Sequence, residues 1–230
     1  MSNGIKVKKR NGRGEEALNL DKMHLMVEEA TKGLAGVSAS QVEIQSGIQF
    51  YDGITTAEIQ EILIKSASDL IDLDHPNYQF VAARLLLFSI RKSLYGRTRE
   101  LPHLEDHIVK SVTQEVYDAG IYDKYSKEDI EKANGYIDHD RDFLFTFAGL
   151  RQVVDKYLVQ DRSTGQVYET PQFMYMMIAL TIFAEYPKEK RLNYVRRYYN
   201  AISKHKLNIP TPIMAGVRTP IRQFASCVLV

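Results

Sequence analysis

The sequence predicts a mainly α-helical protein with a small β-sheet at its N-terminus. Over most of the 230 residues, apolar side chains recur every three or four positions, which is the spacing of one face of a helix. Strand-like alternation around a turn occurs in two short stretches, residues 5–20 and 157–169. The length suffices for one large domain or two small ones.

The N-terminal stretch predicts two short strands joined by a turn. Asn11 and Gly12 accept the positive φ angles of a hairpin turn, and apolar residues such as Ile5 and Val7 alternate with polar ones. Asp21 follows at a position from which its carboxylate can cap the first helix.

Capping residues predict where the next helices begin. Ser40 and Glu43 have the spacing of a capping box, and so have Thr55 and Glu58. One further helix then ends at Gly96, because glycine readily takes the backbone conformation that follows a helix.

A charged stretch with a proline, residues 97–102, predicts a linker. Three of the helices predicted after it run over about 103–119, 142–157 and 188–205. Two more begin at Ser126, with Asp129 as its capping partner, and at Thr170, with Pro171 at the first helical position. A hairpin is predicted at 157–169. Prolines and glycines interrupt residues 207–224, which predicts irregular structure, and the apolar run 228–230 is typical of a buried strand.

Composition and charge restrict the function. The 30 Lys and Arg residues nearly balance the 29 Asp and Glu residues, so no overall field favours nucleic acid or a charged membrane. The most apolar stretch, 173–184, is far shorter than the roughly 20 residues of a membrane span. A single cysteine and the absence of an N-terminal apolar signal segment favour a cytoplasmic protein.

Three clusters of reactive side chains allow more than one interpretation. Lys9 and Arg10 flank a glycine-containing turn, which suits a triphosphate or a solvated basic edge strand. His103 and His107 share a helix face, but with no third ligand nearby we predict an exposed polar face and no metal site. Cys227 suits either a redox thiol or a core position.

Hydroxyl and guanidinium groups precede this cysteine in the chain. Thr211, Arg218 and Ser226 are side chains of the kinds that bind phosphate, which favours a role for the tail in chemistry.

Seven stretches together carry a family resemblance. They are VKKRNG, LNLDKMH, SQVEIQSGIQFYDGITTAEI, YQFVAARLLLFSIRKSLYG, DHDRDF, KYLVQDRSTGQVYETPQF and IPTPIMAGVRTPIRQFASCVLV. In this order the sequence resembles the N-terminal portion of the large, catalytic subunit of aerobic class I ribonucleotide reductase. The resemblance implies an ATP cone over residues 5–96, which is a helical bundle capped by a small sheet. An all-helical domain with one β-hairpin follows over 97–220, and 221–230 form the first strand of an incomplete catalytic α/β barrel.

The resemblance also implies which residues contact ATP or dATP, the allosteric effectors of the cone. These are Val7, Lys9, Arg10, Glu16, Asn19, Lys22, Thr56 and Lys92. One extra residue near position 14 leaves the choice between Glu15 and Glu16 open. Gln60 and Ser89 stand where relatives that dATP inhibits have histidines, so binding is expected while inhibition by dATP is left open.

For the catalytic region, the resemblance implies that Thr211 and Ser226 contact a ribonucleoside diphosphate and that Cys227 is one of two redox-active cysteines. The second cysteine would lie in a chain carrying the rest of the barrel. We expect activity only with that chain, as a dimer of the complemented large subunit. A radical-generating small subunit with a di-iron or similar cofactor and thioredoxin or glutaredoxin would also be needed.

Two alternatives remain at this stage. The chain can be a natural split subunit, which the unfinished strand favours, or a piece of a longer subunit. The alternative from another functional class is a stand-alone ATP-cone module that senses nucleotides. A single cysteine argues against the zinc ribbon of cone-bearing regulators.

Overall fold

The computed structural model describes residues 5–9, 14–221 and 223–225. The chain divides into two compact units, which are described separately below. The first comprises Met1–Lys92 with Phe145–Arg151, and the second comprises Ser93–Leu144 with Gln152–Val230. Helices dominate both units, so the predicted mainly α-helical class is confirmed.

A three-stranded sheet begins the first unit. Strand β1 (Lys6–Lys8) pairs antiparallel with β2 (Glu15–Ala17) and parallel with β3 (Ile54–Thr55), so β1 is central. Val7 and Ile54 face each other in this register and are buried, which anchors the sheet on the helices below. The predicted strand pair is confirmed, and β3 was not predicted.

Four helices complete the first unit together with residues 145–151. They are α1 (Leu20–Thr31), α2 (Ala39–Gly47), α3 (Thr56–Asp69) and α4 (Tyr78–Tyr95), whose last three residues belong to the second unit. Helices α1 and α3 bury one face each, whereas α4 is buried on nearly all sides, so that Val27, Leu63 and Leu85 are fully shielded from solvent. Helix α4 ends before Gly96, as predicted.

The predicted caps of these helices are correct in one case of three. Thr55 caps α3 and forms a complete capping box with Glu58. Asn19, and not Asp21, caps α1, because Asn19 lies at the extended position before the helix and its Oδ1 accepts from the Lys22 amide at 2.9 Å. Ser40 lies within α2, which already begins at Ala39.

Helices also form most of the second unit. They are α5 (Leu104–Thr113), α6 (Ile121–Lys124), α7 (Lys127–Asn134), a 3₁₀ helix (His139–Leu144), the end of α8 (Phe147–Lys156), α9 (Pro171–Ile182), α10 (Lys188–Ser203) and α11 (Thr211–Gly216). Helix α5 is shorter than predicted, because Glu115 takes a positive φ of 58° and the Val116 amide turns back to the Ser111 carbonyl.

Helix α9 lies at the centre of the second unit. All ten residues of 171–180 are buried, and the helix packs against α10, α11 and the 3₁₀ helix. No helix in the described part of the chain is both long and apolar enough to cross a membrane.

Two predictions for the second unit need correction. The predicted hairpin turns where expected, with hydrogen bonds to Asp161 in the turn, but its strands are limited to a single antiparallel bridge between Gln160 and Val167. The stretch 207–224, which was predicted to be irregular, contains helix α11. Proline is compatible with the first turn of a helix, where Pro212 lies, as well as with the interruption of regular structure. The predicted strand 221–230 lies mostly outside the described residues and stays a prediction.

Candidate functional site

One pocket in the first unit brings together most of the residues predicted to contact a nucleotide. Six of the eight line it: Val7, Glu16, Asn19, Lys22, Thr56 and Lys92. Lys9 approaches the same pocket through an ion pair with Glu16, with 2.8 Å between Nζ and Oε2. Arg10 lies outside the described residues. Of the two glutamates left open by the sequence, Glu16 lines the pocket.

Local structure places these side chains around the pocket. Glu16 lies opposite Val7 in the antiparallel register of β1 and β2. Lys22 lies in the first turn of α1, and Thr56 is the first residue of α3. Lys92 lies in the last turn of α4. The pocket is therefore assembled from the sheet, two helix starts and one helix end.

The polar side of this pocket carries excess positive charge. The hydrogen bond from Lys9, together with the ammonium charges of Lys9, Lys22 and Lys92, lowers the pKa of Glu16 despite partial desolvation. Three lysines thus surround one carboxylate. Such a surface favours a polyanion, because each additional phosphate oxygen can accept a charge-assisted hydrogen bond.

The other side of the pocket is apolar and was not predicted. Met23, Met26 and Ile59 line it, and Gln60 lies at the same wall with only 4% of its surface exposed. The Gln60 amide nitrogen donates to the Leu85 carbonyl at 3.0 Å. The pocket therefore offers an apolar wall for a flat ring next to a cationic surface for phosphates.

Helix periodicity is the signal that would have found these apolar residues. Met23 and Met26 each lie four residues after a predicted contact, Asn19 and Lys22 respectively. Ile59 and Gln60 likewise lie three and four residues after Thr56, so they share its helix face.

A buried polar network in the second unit was missed by the sequence analysis. Its centre is the ion pair of Glu169 and Arg218, whose side chains are fully shielded from solvent. Arg218 Nε donates to both carboxylate oxygens of Glu169, at 3.1 and 2.9 Å. Its other nitrogens donate to the carbonyls of Met214 and Tyr157. Arg218 is thus engaged inside the unit, which corrects its interpretation as a phosphate ligand.

Tyr117 and His107 extend this network away from Arg218. The Tyr117 hydroxyl donates to Glu169, because a carboxylate can only accept. The hydroxyl oxygen then accepts from His107 Nε2 at 2.9 Å. The His107 ring stacks on Phe173, with 4.2 Å between ring centroids and 12° between ring planes.

His107 is buried and does not form the exposed polar face that the sequence predicted. Within the described residues, no group of three or more His, Cys, Asp and Glu side chains is placed to hold a metal ion.

We expect acid to destabilise the second unit through His107. Burial, with smaller contributions from Lys110, His139 and Arg218, lowers its pKa to about 3. The unfolded state therefore binds a proton near pH 6.5 that the folded state excludes. Stability is fully present above pH 6.5 and falls as the pH drops towards 3, by about 3 kcal/mol between pH 7 and pH 4. Urea unfolding at several pH values measures this slope.

The matched control for this slope is His107→Phe, which keeps a ring against Phe173 and removes the titrating group. Carboxylates with lowered pKa values, such as Asp129, contribute equally to the pH dependence of stability in both proteins. An unchanged pH slope in the Phe variant would contradict the assignment to His107.

Of the predicted substrate and redox residues, the structure describes Thr211. It is the exposed first residue of α11, and its side chain lies close enough to the Tyr157 phenol to lower the pKa of Tyr157. Ser226 and Cys227 lie outside the described residues, so their predicted roles stay predictions.

Comparison with known proteins identifies both parts of the chain. A family model described as ATP cone domain matches residues 5–93, and one described as ribonucleotide reductase, all-alpha domain, matches residues 143–222. The chain is 50% identical over all its 230 residues to the ribonucleoside-diphosphate reductase subunit alpha of Haemophilus influenzae and to ribonucleoside-diphosphate reductase 1 subunit alpha of Escherichia coli. It is 45% identical over 197 residues, or 85% of the chain, to the corresponding subunit of enterobacteria phage T4.

The chain spans about 30% of the length of the two bacterial relatives and 26% of the phage protein. The matched region is the N-terminal part of these subunits. The chain therefore belongs to the ribonucleotide reductase alpha-subunit family, of which it carries the ATP cone domain and the all-alpha domain.

Proposed function

We propose that the chain forms the regulatory and helical part of a ribonucleoside-diphosphate reductase, which converts ribonucleoside diphosphates to deoxyribonucleoside diphosphates. The observation that supports this most strongly is identity of 50% along the entire chain to alpha subunits of that enzyme. In this proposal residues 5–96 are the ATP cone, 97–220 the helical domain and 221–230 the first barrel strand.

The first unit binds ATP or dATP as an allosteric effector in this proposal. Lys9, Lys22 and Lys92 bind the phosphates, and Arg10, the next residue after Lys9 in the sequence, adds a fourth cation. The adenine lies against the apolar wall that includes Met26. The side-chain amide nitrogen of Asn19 and the hydroxyl of Thr56 are available for the sugar or the base.

Lys92→Ala is expected to weaken ATP binding about tenfold or more, because a charge-assisted hydrogen bond to phosphate contributes about 1.5–3 kcal/mol. Isothermal titration calorimetry of the whole chain with ATP measures the change. Lys65→Ala is the matched control, since Lys65 is an exposed lysine of α3 that pairs with Asp69 and is not among the residues lining the pocket. Equal affinities of the two variants would contradict the proposed phosphate site.

The reduction itself requires two thiols. Cys227 and a second cysteine from the rest of the barrel lose two electrons and two protons and form a disulfide. The substrate gains these two electrons and two protons: its 2′-hydroxyl leaves as water, and a hydrogen takes the place of the hydroxyl on the carbon. Thr211 and Ser226 bind the diphosphate group meanwhile. Thioredoxin or glutaredoxin then reduces the disulfide for the next turnover.

Two further polypeptides complete the enzyme in this proposal. One supplies the remaining barrel, so that the large subunit is reconstituted and dimerises. The other is the radical-generating small subunit, whose di-iron or similar cofactor initiates the chemistry.

Reconstitution tests the proposed activity. The chain is mixed with a polypeptide carrying the remaining alpha-subunit residues, the small subunit and thioredoxin, and formation of dCDP from CDP is measured. We expect turnover with the full mixture and none when this chain is omitted. ATP binding without any turnover in the full mixture would overturn the reductase proposal in favour of a nucleotide-sensing module.

A further inference from the structure

The buried Glu169–Arg218 pair fixes several backbone segments of the second unit at one point. Arg218 donates to the Met214 carbonyl within α11 and to the Tyr157 carbonyl just beyond the end of α8, at 2.5 and 2.8 Å. Its own carbonyl accepts from the Asp118 amide at 3.0 Å. Glu169, directly before the cap of α9, accepts hydrogen bonds from Nε and Nη2 of the same guanidinium.

Stability alone does not explain this arrangement. Removing both charges from water is costly, and a well-packed apolar pair of similar volume is often at least as stable as a buried ion pair. The planar guanidinium of Arg218 provides something an apolar side chain lacks, since its donors point in fixed directions to three separate acceptors. The pair therefore determines geometry.

The segments that Arg218 holds meet at Thr211. The Tyr157 carbonyl accepts a hydrogen bond from Arg218, and the Tyr157 phenol lies next to the Thr211 side chain. Met214, the other carbonyl partner, lies one turn after Thr211 in α11. Both backbones that carry the Thr211–Tyr157 contact are thus attached to the same guanidinium.

We propose that Glu169 and Arg218 are positioning residues that set the orientation of the Thr211 hydroxyl towards the substrate diphosphate. The inference rests on the proposed substrate contact of Thr211. Arg218 does not itself touch the substrate, because its side chain is fully buried against Glu169.

A double-mutant cycle in the reconstituted reductase tests this inference. Thr211→Val, Arg218→Lys and the double variant are compared by their KM and kcat for CDP. We expect each single variant to raise KM about fivefold with a smaller change in kcat, because a ground-state contact to the diphosphate is lost. The double variant is expected to match Thr211→Val alone, since Arg218 acts through Thr211.

Tyr117→Phe provides a second variant in case Arg218→Lys does not fold. It keeps both charges and the ring volume, and removes only the hydroxyl that donates to Glu169. We expect KM to rise about twofold, and to remain unchanged when Thr211 is already valine.

Arg191→Lys is the matched control. Arg191 forms the other well-shielded ion pair described in this unit, with 2.8 Å between its Nη2 and Asp129 Oδ2. We expect the Arg191→Lys substitution to leave KM for CDP unchanged.

The possible outcomes separate the inference from the proposed function. If Thr211→Val raises KM but neither Arg218→Lys nor Tyr117→Phe does, the positioning role is overturned and the substrate contact stands. Additive effects of Thr211 and Arg218 on KM also overturn it. If Thr211→Val leaves KM unchanged, the proposed substrate contact fails and the inference fails with it.

Discussion

Replacing Cys227 with serine abolishes CDP reduction by the reconstituted reductase and leaves ATP binding by the chain unchanged. This is the expected result because a hydroxyl cannot form the disulfide that supplies two electrons to the substrate. The described residues that line the proposed nucleotide pocket all belong to the first unit. Turnover with thioredoxin as reductant and calorimetry with ATP give the two measurements.

The neighbouring residue provides the matched control for this result. Ser226→Ala removes a proposed diphosphate contact but no thiol, so it should raise KM for CDP and retain turnover. Reduction of CDP by the Cys227→Ser enzyme with thioredoxin would show that another thiol pair performs the chemistry.

Glu169→Gln is expected to lower the free energy of unfolding of the second unit by about 3–5 kcal/mol. The change leaves the Arg218 guanidinium charged and fully buried without its counterion, which is the costly way to break a buried ion pair. For a protein of this size, such a loss corresponds to a decrease in Tm of about 10 °C. Thermal unfolding followed by circular dichroism measures it.

Two comparisons test the physical reason for this loss. Glu169→Gln combined with Arg218→Met removes both charges and should recover much of the lost stability. Glu185→Gln should change Tm very little, because Glu185 pairs with Lys124 at the surface with 80% of its side chain exposed. Equal effects of the Glu169 and Glu185 substitutions would contradict a special cost of burial.

Several elements were predictable because their signals are local. The capping boxes Thr55–Glu58 and Ser126–Asp129 both form as predicted, since each involves residues only three apart in the chain. Pro171 correctly marks the start of the buried helix α9, because proline fits the first helical turn.

Features that depend on distant pairing were not predictable in the same way. Glu169 and Arg218 lie 49 positions apart, and an arginine in a stretch interrupted by proline and glycine resembles a surface residue. The two-residue strand β3 forms only because the register of β1 places Val7 opposite Ile54. The polar residues of the pocket were predicted through family resemblance, whereas its apolar wall follows from helix geometry around them.

The ion pair between Lys9 and Glu16 makes ligand binding at this pocket a competition for one ammonium group. A phosphate that binds Lys9 shares that ammonium group with the Glu16 carboxylate, which lies at 2.8 Å, or takes its place. In either case the carboxylate reduces the free energy of binding, and counting lysines overestimates it. Glu16 acts as an internal competitor, and it selects for ligands whose charge density exceeds that of a single carboxylate.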